Sequence, residues 1–135
     1  MAKPENTFIA SVHAHLPPPS KLYRMKNHSV YTAGVPDSWY SGSERDLWIE
    51  WKFIAVPVRD DTPVKIGLSA LQTDWLHDRY HEGRNVWVVV GSKDGGVVFR
   101  DMEWAEPVAA SEFRRCMLKR KDIAERIAEF VRGSL

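Results

Sequence analysis

The chain has 135 residues, 44% hydrophobic and 27% charged, with a formal net charge of +1, which suits one folded domain and excludes a strongly basic coat for nonspecific nucleic-acid binding. Its one cysteine, Cys116, excludes an internal disulfide, and no Cys/His spacing suggests zinc. No apolar run approaches the length of about eighteen residues that a membrane helix needs, and the N-terminal MAKPENTFIASVHAHLPPP lacks the apolar stretch of a secretory signal, so the expectation is an intracellular, cytoplasmic protein with no membrane partner.

Phe8, Ile9, Val12 and Leu16 recur at helical spacing, which predicts a helix over about 5–16, ended by Pro17-Pro18-Pro19. Glu5 heads the same stripe, and a carboxylate there either stabilises the first turn through the helix dipole or serves a site. KLYRMKNHSVY at 21–31 reads as a first strand, Gly34 as a turn, and 35–40 as a short second strand. SGSERD at 41–46 has the composition of a hairpin connection. The stretch 38–46, with Trp39, Tyr40, Arg45 and several hydroxyls, suits sugar-phosphate contact or is a plain exposed turn.

LWIEWKFIAV at 47–56 is the strongest strand. Alternation puts Leu47, Ile49, Trp51 and Phe53 on a purely apolar face and Trp48, Glu50 and Lys52 on the other. Trp48 then either packs beneath the first helix or offers a nucleobase a stacking surface. Residues 57–67 read as a loop. Ser69 followed by Gln72 is a capping box, and Leu71, Trp75, Leu76 and Arg79 or Tyr80 continue a helix that Gly83 stops. NVWVVVG at 85–91 is a buried strand, SKDGG turns, and VVFRDM at 97–102 is the last strand. The chain turns helical from Ser111, with Cys116 as packing, and Asp122 with Glu125 repeats the capping signature for a helix over about 122–132.

This order predicts an α/β fold with a mixed central sheet flanked by helices, in one domain with a core of about 5–102 and a C-terminal helical extension of about 109–133.

Asp37 and Glu50 fall on strands joined by a hairpin, with Lys52 one step further along the same face. Two adjacent carboxylates repel unless a cation joins them. Mg²⁺ fits: Asp37, Glu50 and the backbone carbonyl of Trp51 would supply oxygen ligands, and Glu5 would reach the ion directly or through water. Lys52 would orient or help deprotonate the attacking water and bind a phosphate oxygen.

Pro36-Asp37 followed by Glu50-Trp51-Lys52 resembles the bipartite signature of the PD-(D/E)xK nuclease superfamily. The segment Gly34 to Asp37, the helix carrying Leu68, Ser69, Gln72, Trp75 and Leu76, and Gly83 before the next strand are most similar to its virus-type replication-repair nuclease (VRR-NUC) branch. The resemblance spans roughly residues 5–99. It implies a restriction-endonuclease-like core (α-β-β-β-α-β-β), metal binding by Asp37, Glu50 and the Trp51 carbonyl, catalysis by Lys52, a supporting role for Gln72 and a site role for Glu5. It departs from the branch where Phe53-Ile54-Ala55-Val56 follows Lys52 and where the loop before Leu68 is long.

The expected function is therefore a Mg²⁺-dependent DNA endonuclease, with Mn²⁺ as a substitute, no small-molecule cofactor, 5′-phosphate products and DNA as partner. Repair or recombination of phage or viral type and a homodimer addressing two strands belong to the same expectation. A noncatalytic nucleic-acid module and a protein-interaction domain are the alternatives. Two basic patches are available for phosphates: Lys21, Arg24, Lys26 and His28, and the run Arg114, Arg115, Lys119, Arg120 and Lys121. Arg45 and Lys65 add candidates, Lys65 at the entry of the Gln72 helix, and a solvated surface is the other reading of each. His13, His15, His28, His77 and His81 share no ligand spacing, and the His77/His81 pair lacks the acidic partner of a metal helix.

Overall fold

The computed structural model describes residues 3–27 and 34–133. Helix α1 (Pro4–His13) starts with proline in its first turn, where the missing N–H is no loss. It is shorter than its apolar stripe: beyond His13 the chain tightens into i→i+3 turns, His15 N–H to Val12 O and Leu16 N–H to His13 O, which still buries Leu16.

Strands β1 (Tyr23–Lys26), β2 (Ser38–Ser41) and β3 (Asp46–Phe53) form an antiparallel meander. Of the predicted first strand, 28–31 lies outside the described residues. Helix α2 (Ala70–His81) crosses over so that β4 (Val86–Ser92) lies parallel to β3, and β5 (Gly95–Phe99) returns antiparallel. The order is β1-β2-β3-β4-β5. The last strand stops at Phe99 rather than 102 because Asp101 and Met102 take positive φ, 50° and 68°, and turn the chain into a 3₁₀ segment, Glu103–Ala105. Helices α3 (Ala110–Cys116) and α4 (Arg120–Arg132) complete the α/β fold.

Both faces of β3 are covered. Leu47, Ile49 and Trp51 pack with Phe8 and Val12 of α1 and with Ile123, Ala124, Ile127 and Val131 of α4. The opposite face joins Val86, Val88 and Val90 to Leu76 of α2 and Phe113 of α3. Trp48 therefore meets Trp75 of α2, ring centroids 5.7 Å apart, and does not lie beneath α1, which is on the other side of the sheet with Phe8 edge-on to Trp51.

Helix α4 is part of the core rather than an extension of it: Ile123, Ala124, Ile127 and Val131 are at most 1% exposed. It begins earlier than Asp122 predicts. Lys119 holds the N-cap position with no side-chain cap, and Asp122 lies in the first turn, where a carboxylate favours the helix dipole without capping. The 41–46 connection closes the other end of α4, since the N–H groups of Glu44 and Arg45 both donate to Val131 O, at 2.8 and 3.0 Å. Gly42 makes this docking fit, because a Cβ there would stand 2.5 Å from that same oxygen.

Candidate active site

The ladder between β2 and β3 ends at the pair Ser38–Ile49. One step further along the register, Asp37 comes opposite Glu50, while β2 stays tied to β1 through Asn27 N–H to Asp37 O at 2.7 Å. The strands thus part at the acidic pair, leaving a fork that opens onto the edge of β3. Trp48 N–H bonds Asn85 O and Ile54 N–H bonds Gly91 O, so the even residues of β3 direct their backbone groups at β4. Trp51, an odd residue, directs its carbonyl the other way, past the last β2 pair and toward the fork.

Gly34 positions the segment that delivers Asp37. Its φ is +90°, and a Cβ would stand 2.7 Å from Leu71 O, so only glycine lets this turn lie against the first turn of α2. The capping box is present as the sequence predicts: Gln72 N–H donates to Ser69 Oγ at 3.1 Å, and Gln72 Oε1 accepts from Ser69 N–H at 2.9 Å. The amide oxygen of Gln72 is thereby committed to holding the helix end.

Glu50 is 2% exposed. Burial, then a hydrogen bond and charge repulsion from Asp37, push its carboxyl up to about 9 against a smaller opposing pull from Lys52. At neutral pH the pair holds a proton, and Glu50 Oε1 remains buried with no hydrogen-bond partner. An orphaned buried oxygen is costly, and a hard cation would supply what it lacks. Asp37, Glu50 and the Trp51 carbonyl are an all-oxygen donor set of the kind Mg²⁺ takes with only a few protein ligands. Among the described residues, no group of three or more His, Cys, Asp and Glu side chains is spaced to hold a metal, so the protein's carboxylate share is the pair. Glu5 is half-buried and lies in the same field: burial raises its carboxyl first, then Asp37, with Lys52, Lys26 and Lys3 opposing. It borders the pair rather than joining it.

The phosphate-binding candidates divide. Lys26 lies beside this field, 3.5 Å from Asn6 Oδ1. Lys65 and Lys119 are exposed without a contact that ties them to the site. Each of the candidate arginines has a partner within the chain. Arg45 donates to Phe130 O at 2.9 Å and covers the Phe130 ring. Arg114 holds the 57–60 loop through Asp60 at 3.0 Å and Pro57 O. Arg115 pairs with Glu112, and Arg120 lies over the Phe8 ring, 4.9 Å from its centroid. Residues 38–41 are strand and Tyr40 is fully buried, so the 38–46 stretch is not an open phosphate-binding loop. Cys116 is exposed rather than packed. His77 and His81 stack at 4.3 Å on the outer face of α2.

The sequence reading passed over one internal chain. Trp51 Nε1–H donates to Tyr40 Oη at 3.2 Å, and Tyr40 lies 2.7 Å from His13 Nε2. Burial, with Arg24 adding to it, holds His13 down to about 4, so a neutral imidazole shares the hydrogen bond with the phenol. This fixes the Trp51 ring, and with it β3, from the α1 side. The signal was present: Tyr40 and Trp51 fall on core-facing positions, and a buried O–H and N–H need partners.

Mixed sheet, crossover helix and flanking helices define a restriction-endonuclease-like α/β fold. Neither the protein-family models nor the curated proteins give a match to this chain. Among solved structures, Hjc from Archaeoglobus fulgidus, a Holliday junction resolvase of an archaeal hyperthermophile, is similar with a TM-score of 0.53 at 14% sequence identity, over 90% of this chain and 96% of that one. At such identity the likeness is one of fold. No helix among the described residues is long and apolar enough to cross a membrane.

Proposed function

We propose that this chain is a divalent-metal-dependent endonuclease that hydrolyses phosphodiester bonds in DNA. The observation that carries the reading is the carboxyl pair of half-buried Asp37 and fully buried Glu50, with an unpartnered Glu50 Oε1 and Lys52 two residues on. A structural ion cluster would leave no buried oxygen unpaired.

Asp37, Glu50 and the Trp51 carbonyl would hold the ion, Mg²⁺ first and Mn²⁺ as substitute. When bound, it supplies charge neutralisation at the phosphate and a more acidic water. Asp37 and Glu50 would both bind it as carboxylates, so Glu50 would give up its proton to solvent. Lys52 hydrogen-bonds the attacking water and a nonbridging phosphate oxygen, aligning the one against the other. Glu5, at the border, would accept a hydrogen bond from a water on the ion. Gln72 keeps the N-terminal turn of α2 packed behind Gly34 and so positions Asp37. The resemblance to the PD-(D/E)xK superfamily supports 5′-phosphate ends, and a homodimer would present two such sites to two strands.

The test is cleavage of labelled duplex, single strand, flap and four-way junction, with Mg²⁺, Mn²⁺ or EDTA. The fold neighbour's described activity on Holliday junctions places the four-way junction first. Metal-dependent cutting should fall at least about 10³-fold in Glu50→Gln and in Lys52→Ala, both still folded by circular dichroism. Binding without cutting by the unmodified protein would instead make this a noncatalytic nucleic-acid module.

A further inference from the structure

The sheet face that carries Asp37 and Glu50 is covered on only one side. Over β3, β4 and β5 it is sealed by α2 and α3, but the cover stops at Trp48, whose ring meets Trp75. Beyond it the register continues the row outward, Trp48 opposite Trp39 and Trp39 opposite Met25. Tyr23 stands on the same face two residues before Met25. Tyr23 is 65% and Met25 57% exposed, and Trp39 is half-buried. These are large apolar and aromatic side chains on a strand pair that nothing in the described structure covers.

The neighbouring row is the acidic one. Asp37, just ahead of β2, is two residues from Trp39, and Glu50 and Trp48 are two apart on β3, a step of about 6.6 Å in extended chain, close to two base steps of about 3.4 Å along a nucleic-acid strand. A phosphate held at Asp37, Glu50 and Lys52 therefore brings its adjoining bases over Trp39. Lys52, on the same face as Glu50, supplies positive charge beside the row. Leu71, 59% exposed in the first turn of α2, lies against Gly34 and bounds the fork from the other side.

We propose that Trp39, with Tyr23 and Met25 as its outer rim, is a stacking platform for an unpaired nucleobase next to the scissile phosphate. Bases paired in a duplex are already stacked and offer no free face, so this surface selects strands with an unpaired base beside the cut: single strands, flaps or an opened junction centre. The inference rests on the nuclease reading for the position of the phosphate, but its own chemistry is base stacking, which is read without cleavage.

The experiment is equilibrium binding in EDTA of a single-stranded oligonucleotide carrying one 2-aminopurine, whose fluorescence falls on stacking, beside a fully paired duplex of the same sequence. The unmodified protein should quench the probe. Trp39→Ala should lose quenching and bind the single strand roughly ten- to a hundredfold more weakly, with duplex binding changed less than about twofold. Trp39→Phe should keep most of the quench. Tyr23→Ala, at a site too exposed to matter for folding, should weaken single-strand binding several-fold and serves if Trp39→Ala fails to fold. Quenching and affinity unchanged in Trp39→Ala or Tyr23→Ala, or equal loss on single strand and duplex, overturn the platform. So does self-association abolished by Tyr23→Ala with oligonucleotide binding intact, which would make the face a contact between two copies. A protein that quenches the probe but cuts nothing with Mg²⁺ keeps the platform and loses the nuclease; one that cuts while Trp39→Ala binds normally does the reverse.

Discussion

Glu50, 2% exposed beside Asp37, keeps a proton that an isolated glutamate loses, and this has a consequence in each direction of pH. Its folded carboxyl is raised to about 9, above its unfolded value. The stability it contributes is therefore fully present below the ordinary carboxylate range and is lost as pH rises toward 9, because the unfolded chain releases the proton first. Without metal, the urea midpoint of the unmodified protein should fall between about pH 5 and pH 9. Glu50→Gln, which mimics the protonated group, should flatten that slope and be the more stable protein at pH 9 by roughly 2 kcal/mol. Parallel curves for the two would mean that Glu50 does not hold the proton. Mg²⁺ acts on the same group from the opposite side, since binding expels the proton. At a hundred times its Kd it should stabilise the unmodified protein by about 2.7 kcal/mol, more readily as pH rises, and leave Glu50→Gln unmoved.

Elements show which parts of this arrangement a sequence can reveal. The α2 cap and the alternation of β3 were legible because each is decided within a few residues: Ser69 and Gln72 satisfy one another, and Asp37 lies within one hairpin of Glu50. What covers β3 was not, since Trp75, Phe8 and Ile127 arrive from distant parts of the chain. The partners of the arginines were illegible for the same reason. A run such as 114–121 looks like a phosphate-binding face until its partners are known, and here Asp60, Glu112 and Phe8 take three of the cations. Arg45 belongs to the element it closes. Arg45→Ala removes a bond to Phe130 O and a ring contact at the end of α4, so it should cost about 1–2 kcal/mol in a thermal melt and leave the salt dependence of DNA binding unchanged. Lys26→Ala, at the mouth of the fork, should do the opposite, lowering the slope of log K against log salt by about one with no loss of stability. Exchanged outcomes would return Arg45 to the DNA-binding surface.

For the whole molecule, the decisive element is α4, which the VRR-NUC resemblance leaves out and the core does not. Ile123, Ala124, Ile127 and Val131 are at most 1% exposed, and they close the face of the sheet behind Trp51, the residue whose carbonyl points to the acidic pair. Helix α1 lies beside α4 on that face and fills it only in part: Phe8 packs so tightly on the sheet that a Cβ on Gly91 would stand 2.5 Å from its ring. Losing α4 would bare Ile49, Trp87 and Val89 as well. Each large apolar side chain removed from a core costs about 2–5 kcal/mol, against a total stability of about 5–15 kcal/mol. A chain ending at residue 118 should therefore show no cooperative melt and no metal-dependent stabilisation, rather than a folded nuclease with weaker DNA binding. Ile127→Ala, which keeps the helix, should fold with stability reduced by about 2–4 kcal/mol and cut at the unmodified rate below its lowered Tm. A truncated chain that melts cooperatively and binds Mg²⁺ would show that sheet, α1 and α2 hold the acidic fork by themselves, and would restore α4 to the role of an appendage.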